Sequence, residues 1–287
     1  DYLKGNGAAM IVLKNLTKKF GQFTAVDSVN LEIGTGEFFG LLGLNGAGKT
    51  TTISMLSTLL LPTQGEIYID GELLTRKKTA LKRKISVITQ EYSMRQDMDM
   101  DEIMEYQGRL YYMPKKEIQR KSEELLEFCG LTSARKKTVR KLSGGMKRKL
   151  MVCRALLTGP EILLLDEPTA GMDAVSRRQM WDLLKQLNGK NLTILLTTHY
   201  MEEAESLCGR VAMMAHGKIE EIDTPRNFIH GLGQFAVDET AGGKTLAHYF
   251  STKEEALAFA AHTDSSIRLR DTTLEDVFVE RAKYGGK

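Results

Sequence analysis

A chain of 287 residues with 42% hydrophobic and 27% charged side chains has enough apolar material for a full core and is not a disordered polypeptide. Forty basic residues against thirty-seven acidic ones leave a net charge of +3, too mild to single out a nucleic-acid binder. The longest unbroken apolar runs, Ala8–Leu13 and Ala256–Ala261, are six residues each, whereas a bilayer span needs roughly 20, so the chain is not expected to cross a membrane alone. Cys129, Cys153 and Cys208 are odd in number and lack CxxC spacing, which fits a reducing cytosol better than a disulfide framework. No secretory signal is visible, and residues 1–10 read as a tail.

Along the chain, Ile11–Leu16 and Val26–Ile33 alternate apolar and polar residues and predict strands, with a turn at Gly34–Gly36. Glu37–Leu42 is nearly all apolar and reads as a buried strand. Ile53, Leu56 and Leu60 recur at helical spacing, so Lys49–Leu61 predicts a helix that stops at Pro62. Glu66–Ile69 and Ile85–Thr89 are further strands. Met100–Tyr112, Lys115–Phe128 and Gly144–Leu157 then predict helices, the last with Met146, Leu150, Cys153 and Leu157 on one stripe. Strands and helices alternate afterwards: Ile162–Leu165, Asp173–Leu187, Thr193–Thr197, Tyr200–Leu207 and Val211–Ala215. That order predicts an α/β domain over residues 11–230 with a largely parallel sheet and a helical insert at about 91–157. Beyond Pro225 the pattern weakens, and Gly231–Gly233 and Gly242–Gly243 loosen the chain. Strands at Gln234–Val237 and Ile267–Arg270, a helix at Lys253–Ala261 and a last helix with Leu274, Val277 and Phe278 on one stripe make residues 231–287 a small appended α+β domain.

Gly43-Leu-Asn45-Gly46-Ala47-Gly48-Lys49-Thr50 matches GxxxxGK[ST] between a buried strand and a helix. Glycines let the backbone wrap a phosphate without Cβ clashes, and freed amides and the helix N-terminus point positive ends at it. Lys49 would contact the β- and γ-phosphates, and the Thr50 hydroxyl would ligate Mg²⁺. The plain alternative is a glycine-rich turn opening a helix. Ile162-Leu-Leu-Leu-Asp166-Glu167 is the natural partner: a buried strand delivers Asp166, able to hold Mg²⁺ through a water, and Glu167, placed to polarise the attacking water.

Leu142-Ser143-Gly144-Gly145-Met146-Lys147 opens a helix and, standing alone, reads equally as an ordinary N-cap with a flexible entry. Upstream of Leu-Leu-Leu-Asp-Glu-Pro-Thr, with Gly-Met-Asp173 and Thr-Thr-His199 downstream, the set resembles the ATP-binding-cassette ATPases over residues 11 to about 225. The resemblance implies a P-loop cassette with an N-terminal antiparallel β part, a helical insert and a small C-terminal extension, using ATP and Mg²⁺. It implies adenine stacking on Phe20, phosphate binding by Asn45, Gly46, Ala47, Gly48, Lys49, Thr50 and Thr51, and Mg²⁺ ligation by Thr50, Gln90 and Asp166. Glu167 would be the base, with His199, Gln90 and Lys49 in catalytic roles. Ser143, Gly144 and Gly145 would cap the partner copy's ATP, and Asp173, counted with the nucleotide-binding residues, would lie in the loop that communicates across the dimer interface. Residue by residue, a core phenylalanine (Phe20), a solvated strand-end glutamine (Gln90), a helix N-cap (Asp173) and a structural histidine (His199) remain the plain alternatives.

Where the family usually carries glutamine after the two glycines, this chain has Met146, which removes a polar side chain near the ribose. The Ser-Gly-Gly-Met-Lys-Arg form and the ending Thr-Thr-Leu-Glu-Asp-Val-Phe resemble the drug- and antibiotic-exporter branch, daunorubicin-resistance-like, and its lipid-exporting relatives. The resemblance therefore implies an exporter ATPase on the cytoplasmic face of the membrane, pairing with a separate membrane-spanning permease and with a second ATPase subunit, a homodimer being favoured over a heterodimer. The permease would dock on the helical insert, near Gln90–Tyr92 and the acidic, Met-rich stretch Asp97–Glu105, where a solvated loop is the alternative. Basic clusters at Arg76–Lys84 and Arg135–Lys149 could face anionic headgroups, though solvated faces are commoner. The rival is a soluble cassette ATPase acting on nucleic acid or ribosomes. Such relatives usually carry coiled coils, zinc modules or two cassettes in one chain; here there is one phosphate loop, no heptad run and no CxxC, so no nucleic-acid partner is expected.

Overall fold

The computed structural model describes residues 9–91, 94–263 and 265–284, so Tyr92 of the expected docking stretch lies outside the described residues. Two compact units emerge: residues up to His199 together with Ala212–Glu221, and Tyr200–Val211 together with the residues from Ile222 on.

In chain order the first unit starts with β1 (Ala9–Phe20) and β2 (Phe23–Gly34), paired antiparallel, then β3 (Phe38–Leu42) and α1 (Lys49–Leu56). α1 stops five residues short of the expected Leu61, because Thr58 takes a left-handed backbone (φ 61°) that no helix continues through. β4 (Gln64–Ile69) pairs with β1 and with the short β5 (Glu72–Leu73), closing a four-stranded antiparallel sheet ordered β2-β1-β4-β5. α2 (Thr79–Arg83) leads to β6 (Ile85–Ile88), one residue shorter than expected.

Helices fill the chain between β6 and β7: α3 (Met100–Leu110), α4 (Lys115–Phe128) and α5 (Gly144–Leu156). The acidic, Met-rich stretch has structural duties here. Asp99 and Glu102 form a capping box at the start of α3, Asp101 pairs with Lys136, and Met100 and Met104 are fully buried. β7 (Ile162–Asp166), α6 (Ala174–Asn188) and β8 (Thr193–Thr198) follow; α7 (Met201–Leu207) belongs to the second unit, after which β9 (Arg210–Ala215) and β10 (Lys218–Asp223) complete the sheet.

The six-stranded sheet runs β10-β9-β3-β8-β7-β6, and β3, β8, β7 and β6 are mutually parallel. Every residue of β3, β7 and β8 is buried, the mark of strands covered on both faces. Parallel strands send their C-terminal ends to one edge, where ligands of open α/β sheets bind. The register is even: Leu42 pairs with Thr198, Asp166 with Thr197, and Leu165 with Ile88. The phosphate loop, Asp166-Glu167, His199 and Thr89-Gln90 therefore all leave the sheet along one line.

The second unit adds α8 (Pro225–Leu232), β11 (Phe235–Ala241), β12 (Lys244–Phe250), α9 (Lys253–Ala261), β13 (Ser266–Asp271) and α10 (Leu274–Tyr284). β12-β11-β13 is antiparallel. The glycines expected to loosen the chain make its hairpin: Gly242 and Gly243 carry φ 58° and 76°, the two-residue turn that matches strand twist. α9 covers one face, with the Phe259 ring 4.5 Å from His248 and 5.3 Å from Phe250.

On the other face Arg270 links Asp238 of β11 to Asp276 of α10, at 2.7 and 2.6 Å. Burial works to raise the Asp276 pKa, but hydrogen bonds from Arg270 and Thr273 outweigh it and hold the carboxyl below its ordinary value. A depressed carboxylate stabilises above its unfolded-state pKa and loses that contribution as pH falls through the folded value, so acid loosens this unit. Arg270→Met strands two half-buried carboxylates and is expected to destabilise the unit by about 3 kcal/mol. Amide exchange over β11–β13 measures it; unchanged protection would show the cluster to be ornamental.

Candidate functional site

The loop after β3 is built by steric necessity. Gly48 sits at φ 106°, and a Cβ there would lie 2.5 Å from the Ala25 carbonyl oxygen. Gly43, at φ 156°, would drive a Cβ into the Met214 carbonyl. Glycine is thus required at both positions, and the loop turns tightly into α1, whose first amides and dipole face outward over the sheet edge. Gly217 N–H donates to the Ala47 carbonyl (3.1 Å), tying the loop down.

Lys49 is buried, its ammonium donating to the carbonyls of Gly43 (2.8 Å) and Leu44 (3.1 Å). Burial lowers its pKa, opposed by the charges of Glu167 and Asp166. Its Nζ lies 3.9 Å from Glu167 Oε1. The other oxygen of that carboxylate takes the His199 ring, with Nδ1 2.6 Å from Oε2. Asp166 Oδ1 accepts from the Thr50 hydroxyl (3.1 Å) and the Thr197 hydroxyl (2.6 Å). Residues far apart in sequence thus converge on one point: Lys49, Thr50, Asp166, Glu167 and His199.

Glu167 has φ 52°, a left-handed backbone that costs a non-glycine residue energy. Its N–H bonds to the Thr197 carbonyl at 3.0 Å, so β8 holds the turn that aims the carboxylate.

A second group forms at two helix starts. The Ser143 hydroxyl caps α5, accepting from Met146 N–H at 3.3 Å. Asp173 caps α6, accepting from Ser176 N–H (2.8 Å) and its hydroxyl (2.7 Å); those bonds lower its pKa. Gly145 lies so close to Ser176 that an added Cβ would come within 3.1 Å of its hydroxyl. Ser143, Gly144, Gly145 and Asp173 therefore share one surface, and the capping alternatives hold for Ser143 and Asp173 as structural facts. Phe20 is 48% exposed at the tip of the β1–β2 hairpin with Lys18 Nζ 5.2 Å from its ring centroid, which rules out a core role. Gln90 is exposed just past β6. Asn45 and Gly46 are exposed in the loop, while Ala47 is buried and Thr51 lies in α1.

Two residues escape the sequence reading. Thr197 was visible only as part of a strand motif, yet its hydroxyl fixes the Asp166 carboxylate. Arg148 belongs to the basic run Arg135–Lys149, expected to be solvated or to face headgroups; it is instead 1% exposed, bonded to the carbonyls of Thr89 and Gln90.

The sequence model of the ABC transporter family matches residues 26–170. The chain is 37% identical over 224 residues to the linearmycin resistance ATP-binding protein LnrL of Bacillus subtilis, covering 78% of this chain and 72% of that protein. It is 35% identical over 295 residues to the Nod factor export ATP-binding protein I of Cupriavidus metallidurans, covering 95% and 97%. A dimeric ATP-binding cassette in a post-hydrolysis state, bound to ADP and Pi, superposes with a TM-score of 0.67 at 30% identity, covering 75% of this chain and 98% of that one. Site geometry, fold and relatives agree: the chain belongs to the ABC transporter family and is an ATP-binding cassette that hydrolyses ATP.

Proposed function

We propose that this cassette powers an exporter, working as a homodimer on the cytoplasmic face of the membrane beneath a separate membrane-spanning permease. The relatives named for antibiotic resistance and for Nod factor export support the direction. A complete set of motifs in one chain supports two identical subunits. Among the described residues no helix is long and apolar enough to cross a membrane, in keeping with a second chain that forms the channel.

The convergence of Lys49, Asp166, Glu167 and His199 on one sheet edge carries this reading. The donor set Thr50 hydroxyl, Asp166 carboxylate and Gln90 amide consists of hard oxygens, which suits Mg²⁺. When bound, Mg²⁺ supplies charge neutralisation on the phosphate oxygens. Lys49 exchanges its loop carbonyls for the β- and γ-phosphates. Glu167 accepts a proton from water as that water bonds to the γ-phosphorus and the bond to the β-phosphate oxygen breaks, releasing ADP. His199, whose Nδ1 lies 2.6 Å from Glu167 Oε2, donates to the γ-phosphate. The Ser143-led helix of the other copy, with its amides and dipole, closes on the same γ-phosphate, so ATP holds the dimer shut and hydrolysis releases it.

The test is isolation of the tagged chain from detergent-solubilised membranes of its own host, followed by reconstitution in lipid. A stoichiometric polytopic membrane protein that raises ATP turnover is the expected result. Salt-sensitive recovery with ribosomes or nucleic acid, and no such membrane protein, would overturn the assignment.

A further inference from the structure

Arg148 lies on α5, the helix capped by Ser143, and is almost wholly buried. Its Nη1 donates to the Thr89 carbonyl at 2.7 Å and its Nη2 to the Gln90 carbonyl at 3.0 Å. Two successive carbonyls are thus gripped by one planar fork, a geometry that a lysine ammonium does not reproduce. A second tie lies further along the same helix, where the Ser86 hydroxyl of β6 donates to the Ala155 carbonyl at 2.8 Å. Buried hydrogen bonds to a charged donor are strong and stiff, so α5 and the segment carrying Gln90 move together.

We infer that Arg148 is a positioning residue that couples the two ATP sites of the dimer. This rests on the reading above, in which Ser143 meets the partner copy's ATP while Gln90 serves its own. When Ser143 engages the partner's γ-phosphate, α5 is drawn toward it, and the guanidinium transmits that displacement to the Gln90 backbone. Each copy's hydrolysis geometry is thereby set by whether its twin holds a triphosphate.

A double-mutant cycle on ATP turnover tests this in the full transporter complex. Ser143→Ala and Gln90→Ala are measured singly and together, first with Arg148 intact and then in Arg148→Met and Arg148→Lys backgrounds. With Arg148 intact the double variant is expected to depart from the product of the single effects by roughly three- to tenfold. In Arg148→Met the effects become multiplicative, and in Arg148→Lys, which keeps the charge but not the fork, most of the coupling is lost. Amide exchange at residues 89–91 gives a second readout: ATP-dependent protection there depends on Ser143 only when Arg148 is present. Multiplicative effects with Arg148 intact, or coupling that persists in either Arg148 variant, would overturn the proposal. A Ser143→Ala variant with undiminished turnover would instead overturn the dimer reading beneath it. Should Arg148→Met fail to fold, the lysine variant and the cycle with Arg148 intact still decide.

Discussion

Glu167→Gln is expected to bind ATP as tightly as the native chain and to hydrolyse it about 10²–10⁴-fold more slowly. The amide is nearly isosteric, so a glutamine fills the same space beside the His199 ring, whose Nδ1 lies 2.6 Å from Glu167 Oε2. What vanishes is the capacity to take a proton from water. With the γ-phosphate uncleaved, the anion that draws the Ser143-led helix inward persists and a closed dimer accumulates. Single-turnover hydrolysis measures the first effect and light scattering after gel filtration, with and without ATP, the second. Robust turnover would mean that some other group is the base.

Lys49→Ala is expected to act one step earlier. The ammonium is buried beside Asp166 and Glu167 and donates to two loop carbonyls; on the proposed reading, phosphate oxygens would take their place. Hydrogen bonds from an ammonium to an anion are worth about 1.5–3 kcal/mol each, so loss of two weakens ATP by roughly a hundredfold or more. Removing the ammonium also leaves the buried Glu167 and Asp166 carboxylates without that cation, so nucleotide-free melting is expected to fall, and binding is read well below the variant's own melting temperature. Equilibrium binding of a fluorescent ATP analogue reads the effect. Unchanged affinity would remove the phosphate loop from the nucleotide site.

The chemistry of this protein is legible in its sequence wherever it depends on short spacing. The loop from Gly43 to Thr50 and the apolar strand ending in Asp166-Glu167 each announce themselves within about eight residues. What is hidden is anything whose meaning lies in a distant contact. Thr50 and Asp166 are 116 positions apart and meet only because parallel pairing aligns strand ends. Arg148 looks like any member of a cationic run until β6 is laid against α5. In the last third the difficulty is different. Strand β12 has weak alternation, and its Gly242-Gly243 turn reads as slack unless a hairpin is expected there. β10 and α8 are missed as well, although Thr224 followed by Pro225 is a standard helix opening, with the Thr224 hydroxyl accepting from Asn227 N–H at 3.0 Å.

The left-handed backbone of Glu167 carries one more implication. A glycine at that position would relax the main chain and delete the proton acceptor in the same stroke. Breeding this cassette for heat resistance alone would therefore reward dead molecules there, and any such screen has to be yoked to a demand for work.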